Sequence, residues 1–393
     1  MSGLILRDLS YAVVRANPQY RFVPFESLSQ AEISGLGYHP AATTFAGILM
    51  QAGSGALTIK AVSAQAAALY ELLSTPISPR AVLTKLPPHE RDRILAGLVL
   101  DGILEIAIAD AFVSQCAAYR LIVLNEEDIV GASRLSILSI RALKHGQRLG
   151  IHDPEKLAAR LYFYHRVPVT LSWRKLWPDA DAVLQYLGIA AGGPLRQDLF
   201  SCFEMSSPLT KVQWLSWHRR KRLPGEPSEA NKHKLYVSAA AEHIKEAFAQ
   251  VVALLPNSSA SGLKIGPNAN NLLRPDKLVV YFNHHDDLLT FADAVLPRLM
   301  GLSAHGVPFS APIDDAGILS WAVDPPRSQE GIGWYADDSW RIWLCNRLAL
   351  ALLVAINSPE TEIAPWRYAL VRLWLSGIDT RTWTVRGKSG DLA

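Results

Sequence analysis

Apolar residues recur along this chain in two rhythms, alternation and the helical three-to-four spacing, and the change between them marks its organisation. Near the N-terminus "GALTIKAVS" alternates as a strand does, and "SAQAAALYELLS" then sets Ala66, Leu69, Leu72 and Leu73 on one helical face. Ser63 stands at the N-cap, where its hydroxyl can accept from an unpaired first-turn N–H. "ISPRAVLTKL" and "PPHERDRILAGLVLDG" predict two further helices started by serine or proline chemistry, with Gly102 at the C-cap of the second. "ILEIA" returns to a strand. Strand, three helices and strand predict a winged-helix-like domain over residues 1–125.

The helical rhythm dominates the next stretch. "RLSILSIRALKHGQRLG" and "DPEKLAARLYFYHRVP" space their apolar positions for helices, and Asp153-Pro154 supplies an N-cap with proline at the first helical position. These predict a helical middle region over residues 126–225. Trp173, Trp177, Trp214 and Trp217 crowd it, and helix packing is their expected role. "HRRKRLPGEPSEANKHK" follows, polar, basic and broken by Pro and Gly, as a linker is; its run from Arg219 to Arg222 reads as solvated.

From residue 232 to 393 the two rhythms interleave. "KLYVSA", "GLKIG", "KLVVYF" and "GILSWAV" read as strands; "AAEHIKEAFAQVVALLP", "HDDLLTFADAVLPRLMG" and "SWRIWLCNRLALALLVAI" read as helices. Strands and helices in this alternation predict an α+β domain with a central sheet, and α+β is the fold class expected for the whole chain.

Composition narrows the functional classes. The chain has 393 residues, more than one core of about 250 to 300 residues holds. With 49% hydrophobic and 19% charged residues it has the apolar surface a disordered chain lacks. A net charge of +3 gives no general basis for nucleic-acid binding, and any anion site must be local. Cys116, Cys202 and Cys345 lie far apart without CxxC spacing, a pattern of a reducing compartment with no zinc site. Neither a signal-peptide core nor a run near the roughly 18 apolar residues of a membrane helix is present, so a cytoplasmic protein without membrane contact is expected. GxGxxG, GxxxxGK[ST], HExxH and GxSxG are all absent, and no cofactor is implied. In "HHDD", residues 284–287, adjacent side chains diverge around a helix start, so an N-cap role for Asp286 or Asp287 is expected ahead of a metal cluster.

The stretch with the most chemistry is "LKIGPNANNLLRPDKLVVYF", residues 263 to 282. Lys264 sits inside an apolar strand pattern, and Arg274 and Asp276 follow a turn marked by Gly266, Pro267 and "NANN". A lysine desolvated in a strand and an arginine fork nearby suit an anion, against the alternative of a solvated turn.

Two resemblances sharpen this. "LTIKAVSAQAAALYELLSTPISPRAVLTKLPPHERDRILAGLVLDGILEI" resembles the PqqD-like winged-helix domains that recognise precursor peptides in ribosomal-peptide biosynthesis. That resemblance implies strand addition by a leader peptide, with the helix around Arg91, Leu95 and Leu98 as one wall of the groove. Together and in order, "LKIGPNANNLLRPDKLVVYF", "HGVPFSAPIDDAGILSWAVDPP" and "DDSWRIWLCNRLALAL" resemble the HopA-type family of type III effectors and their relatives in lanthipeptide and thioamitide pathways. Members resemble phosphothreonine lyases. The resemblance implies elimination of phosphate from phosphoserine or phosphothreonine to leave a dehydroamino acid, with a separate kinase adding the phosphate and no cofactor.

Such an elimination needs a base for the Cα proton and cations for the departing phosphate. Lys264 is the candidate base, Arg274, Arg341 and Arg347 the candidate phosphate ligands, and Asp276 an orienting partner for Arg274 or Lys277. Arg341 is favoured over Arg347 because it stands near a helix N-terminus, where backbone N–H groups attract anions. His305, before "GVPF", is a candidate proton donor or phosphate contact, against the alternative of a surface loop histidine. The chain departs from the family where a lysine follows the phenylalanine segment, since it carries Ala311 in "FSAPIDDAG", and where the helix begins "DDSWR" instead of a Glu-Ser-Phe-Gly-like sequence.

The expectation is a carbon–oxygen lyase of ribosomal-peptide maturation whose partners are a leader-bearing precursor peptide and a separate Ser/Thr kinase. The alternative is a non-catalytic adaptor that binds the leader and a partner enzyme. A transcription regulator lacks support, because the helix "HERDRILAGLVLDG" carries few basic residues on one face.

Overall fold

The computed structural model describes residues 4–29, 31–32, 46–51, 59–126, 129–206, 214–220, 233–325 and 339–386. The chain is of mixed α+β class. It divides into two compact units, one of Met1–Gly131, Leu143–Leu161 and Pro325–Arg381, the other of Ala132–Ala142, Tyr162–Asp324 and Thr382–Ala393. The three segments expected from sequence are thus distributed over two units.

In the first unit the strands are β1 (Ile5–Leu6), β2 (Val14–Ala16), β3 (Tyr20–Pro24), β4 (Gly47–Gln51), β5 (Ile59–Val62), β6 (Leu104–Ile108), β7 (Ala111–Val113) and β8 (Val123–Asn125). They form a β1-β8 pair and two three-stranded sheets, β2-β6-β7 and β3-β4-β5. Ser63 caps the helix Ala64–Leu72, its side chain accepting from Ala66 N–H at 3.2 Å. The helix Pro88–Leu100 closes on Gly102 at φ +73°, a left-handed conformation that favours glycine, with Ile103 N–H donating to Leu98 O at 2.9 Å. The helix expected over "ISPRAVLTKL" is reduced to one 3-10 turn, Pro79–Ala81. Ile77 is drawn into a bridge with Val14, and Pro87-Pro88 holds the backbone before the next helix extended, so the turn cannot propagate. The long apolar helix Trp340–Ile356 packs on Pro365–Leu375, and the two bury residues such as Leu348, Leu352 and Leu370. Among the described residues no helix is long and apolar enough to cross a membrane.

The second unit is built on a seven-stranded antiparallel sheet made of β9 (Phe203–Met205), β10 (Leu215–Arg219), β11 (His233–Val237), β12 (Gly262–Ile265), β13 (Leu278–Phe282), β14 (Ala311–Pro312) and β15 (Leu319–Val323). Its strand order is β14-β15-β11-β13-β12-β10-β9. Because side chains alternate across a strand, one face collects Leu215, Trp217, Leu235, Leu263, Val280, Phe282 and Leu319 and buries them against Phe248, Val251 and Leu288 of the helices Ile244–Leu254 and His285–Val295. The other face is polar. Across it the register sets Ser216, Lys264, Val279, Tyr236 and Ser320 in one line, and His218, Gly262, Tyr281, Lys234 and Ala322 in the next.

Two local expectations change. "NANN" is more than a turn: Asn268 caps a one-turn helix, Ala269–Leu272, accepting from Asn271 N–H. At "HHDD" the N-cap is His284, and Asp286 and Asp287 lie in the first turn, where their charge favours the helix dipole without capping.

Candidate active site

Lys264 is the centre of the polar face. It is half-buried on β12, with Ser216 on one side and Val279 on the other. Its Nζ lies 4.5 Å from the centre of the Trp214 ring and 5.6 Å from that of Tyr281, so the amine is walled by aromatic surface. Burial, with Lys234 and Arg274 adding like charge, brings its pKa down to about 8, against the opposing pull of Asp276 and Asp324. An amine tuned this way can exchange a proton near neutral pH.

Arg274 is held almost rigidly. Nε donates to Asp276 Oδ1 at 2.9 Å, and Nη2 donates to Asp276 Oδ2 at 2.9 Å and to the Tyr162 hydroxyl at 2.7 Å. That hydroxyl in turn donates to Asp276 Oδ2 at 3.0 Å. Arg274 and Asp276 are both buried, and the guanidinium lies about the rings of Tyr162, Phe163 and Trp214, at 5.2, 5.0 and 4.8 Å. Burial opposes the charge on Arg274, but the carboxylate of Asp276 outweighs it and raises the pKa above the ordinary value. These bonds engage Nε and Nη2. Among the described residues Nη1 makes no hydrogen bond.

Lys234 joins the site from β11, ion-paired to Asp324 and 8% exposed. Sequence reading missed it, together with Tyr236 and Tyr281 on the same face. The signal was present in "HKLYV", where Lys and Tyr alternate with apolar residues, but only pairing through β13 brings Lys234 to Lys264. Trp214 also departs from expectation: Trp177 and Trp217 are packed in the core, and Trp173 stacks on Trp177 at 4.6 Å, whereas Trp214 faces Lys264 and Arg274.

His305 belongs to a second cluster. It is 7% exposed, not a surface loop residue. Nε2 donates to His165 O at 2.6 Å and Nδ1 accepts from Lys277 Nζ at 2.8 Å, so both nitrogens are engaged away from Lys264 and Arg274. Burial, with Lys277 adding, pushes its pKa down to about 3, and burial brings Lys277 to about 7. Lys277 also donates to Ala239 O at 2.7 Å. Asp276 and Lys277, neighbours in sequence, thus hold Arg274 and His305 respectively.

The remaining expected residues lie in the first unit. Arg341, 1% exposed, stands at the start of the helix Trp340–Ile356, and the Arg347 guanidinium lies 3.8 Å from the centre of the Trp343 ring. On the helix Pro88–Leu100, Arg91 is buried, hydrogen-bonded to Ser10 and ion-paired with Asp92 at 3.5 Å and Asp8 at 3.7 Å. Leu95 is fully buried and Leu98 half-buried. In the basic run, Arg219 is structural instead of solvated, donating to Ala260 O and Ser258 O at 2.7 Å each; Lys221 and Arg222 lie outside the described residues. Among the described residues no group of three or more His, Cys, Asp or Glu is placed to hold a metal ion.

No family model and no curated protein matches the chain. Solved structures that are similar include the effector protein from Pseudomonas syringae pv. syringae strain 61, at 11% identity and TM-score 0.41, covering 67% of this chain and all of the effector. The type III effector and phosphothreonine lyase OspF from Shigella flexneri is similar at 14% identity and TM-score 0.29, over 50% of this chain and 95% of its own. The Chromobacterium violaceum phosphothreonine lyase effector VirA is similar at 15% identity and TM-score 0.29, over 53% and 98%. Likenesses this distant assign no residue and no activity.

Proposed function

We propose that the second unit is a carbon–oxygen lyase that eliminates phosphate from phosphoserine or phosphothreonine in a peptide, leaving a dehydroamino acid. The observation that carries this reading is the Lys264 amine, desolvated to a pKa of about 8 on the polar sheet face beside Arg274 and Lys234. Neutral Lys264 takes the Cα proton. The electron pair left on Cα forms the Cα–Cβ double bond as the Cβ–O bond breaks, and phosphate departs with the electrons of that bond. Arg274, through Nη1, and Lys234 meet the phosphate charge, while the carboxylate of Asp276 fixes the arginine in place. Lys264, Arg274, Lys234 and Asp276 suffice for a base and an anion clamp, and the chemistry calls on no cofactor.

The substrate in this reading is a precursor peptide phosphorylated by a separate Ser/Thr kinase, with its leader held by the N-terminal part of the chain. Tethering raises the effective concentration of the phosphorylated segment, so the lyase site itself can bind weakly. A non-catalytic adaptor is the second reading. It draws on Asp276, which already neutralises Arg274.

Intact-mass analysis of phosphothreonine peptides incubated with wild type and with Lys264→Ala tests the proposal. Loss of phosphoric acid with wild type alone supports the lyase. No loss with either protein, even with a leader-bearing precursor supplied, would leave the adaptor reading in its place.

A further inference from the structure

On the apolar face of the same sheet, the first residue of β11 buries an imidazole that the fold leaves unsatisfied. His233 is 2% exposed, and its Nδ1 has no hydrogen-bond partner among the described residues. Next to it stands His285, the first residue of the helix His285–Val295, whose Nε2 is likewise buried without a partner. Their ring centres are 5.6 Å apart. Trp321 on β15 flanks both, at 4.3 Å from His285 and 6.4 Å from His233. A buried polar atom without a partner costs about 1 to 3 kcal/mol. Two such nitrogens on neighbouring rings point to one ligand that serves both.

The chemistry of the pair indicates a cation. Burial lowers the pKa of His233 to about 4, with His285 and His284 adding to the effect and Asp324 opposing it; burial also lowers that of His285, against Asp286. A ring nitrogen that no hydrogen bond engages can offer its lone pair, as imidazole does when it binds metal. Asp324 from the end of β15 and Asp286 from the helix's first turn are the carboxylates whose fields reach the pair, and they favour positive charge. Two imidazoles on one tetrahedral ion, with nitrogen–metal distances of about 2.0 Å, place their ring centres roughly 5 to 6 Å apart.

We propose that His233 and His285 together bind a divalent transition-metal ion of the Zn2+, Co2+ or Ni2+ type, with solvent completing its coordination. The ion would clip the start of β11 to the start of the helix. His233 precedes Lys234 in sequence, yet alternation turns the two side chains to opposite faces, so this site is separate from the one built on Lys264. "HHDD" alone does not hold the metal; His285 does so with a strand residue from much earlier in the chain.

The test is titration of the metal-free, full-length protein with Co2+, followed by its visible d–d absorption, and with Zn2+ by calorimetry. Wild type, His285→Ala and His233→Gln are compared, with thermal melts confirming that each is folded. His285 lies at a helix start and is only half-buried, so its variant keeps the readout even where His233→Gln does not fold. The expected result is one saturable ion per wild-type chain, with affinity weakened about tenfold or more in each folded variant. Equal binding by wild type and His285→Ala overturns the proposal. So does the absence of saturable binding, which would leave a buried water as the bridge between the rings. Neither outcome depends on whether the chain is a lyase.

Discussion

Lys264 and Lys277 lie at either side of one short connection, and both are stripped of solvent until their amines titrate near neutrality, at about 8 and about 7. Their surroundings differ. Lys277 is 1% exposed and spends its N–H groups on Ala239 O and His305 Nδ1, so its proton has nowhere useful to go. Lys264 is half-buried beside ring faces, which favour its ammonium form without occupying its hydrogens, and it is burial that lowers its pKa. A lowered pKa is therefore shared by a tie within the fold and a candidate base. Accessibility separates them.

Replacing each lysine sharpens the contrast. Lys264→Arg keeps a positive charge but removes a proton acceptor, and elimination is expected to fall by about a hundredfold to ten-thousandfold with little change in melting temperature. Dehydrated peptide formed per minute, read by mass spectrometry, measures it. Retention of most of the rate would remove Lys264 from the chemistry. Lys277→Met should act the other way round, costing about 1 to 3 kcal/mol of stability by leaving Ala239 O and His305 Nδ1 unpaired while the rate per folded molecule stays near that of wild type. Urea midpoints and rates on the same preparation decide this. A Lys277→Met that is stable and inactive would erase the distinction.

The pH profiles follow from the same two groups. Elimination should rise with pH to a plateau with a midpoint near 8, as Lys264 loses its proton. Stability behaves differently: the folded value of Lys277, about 7, lies below the unfolded value of about 10.5, so the unfolded chain binds more protons between them and stability climbs with pH across that window. His305, about 3 when folded against about 6.5 when unfolded, gives a climb of the same sign over the acid range. Urea midpoints measured from pH 4 to pH 9 should show both climbs, and Lys277→Met should reduce the climb above pH 7 most and the acid climb less, since Lys277 adds to the His305 shift.

The smallest expected effect is at the aromatic wall. Trp214→Leu removes a ring that favours the ammonium form of Lys264, a contact worth about 0.5 to 1 kcal/mol, and should move the midpoint of the activity profile down by roughly half a unit. A midpoint that does not move would mean that burial alone tunes the amine.

Much of the local structure was legible. Ser63 and Asp153 cap helices because their side chains sit within reach of the third backbone N–H beyond them, a relation the sequence states directly. The strand "GLKIG" sets Lys264 among apolar residues, so a half-buried lysine in a strand could be anticipated. "ISPRAVLTKL" was misleading because its helical spacing is overridden by the bridge of Ile77 to Val14 and by the following prolines. His305 was ambiguous for a similar reason: a histidine before a glycine-containing turn gives no sign that Lys277 and the carbonyl of His165 will enclose it.

Within the sequence alone lay the α+β class, several caps and most helix and strand positions; Asp276 was open between Arg274 and Lys277, and the structure pairs it with Arg274. Tertiary structure decided which polar side chains share a surface. Lys234, Tyr281 and Lys264 meet on one face, and His233 and His285 on the other, because antiparallel register joins distant segments of the chain. A slip of one residue in that register would send each of the strand side chains to the opposite face; the alternation within a strand opposes such a slip, but which strands pair is decided by tertiary structure.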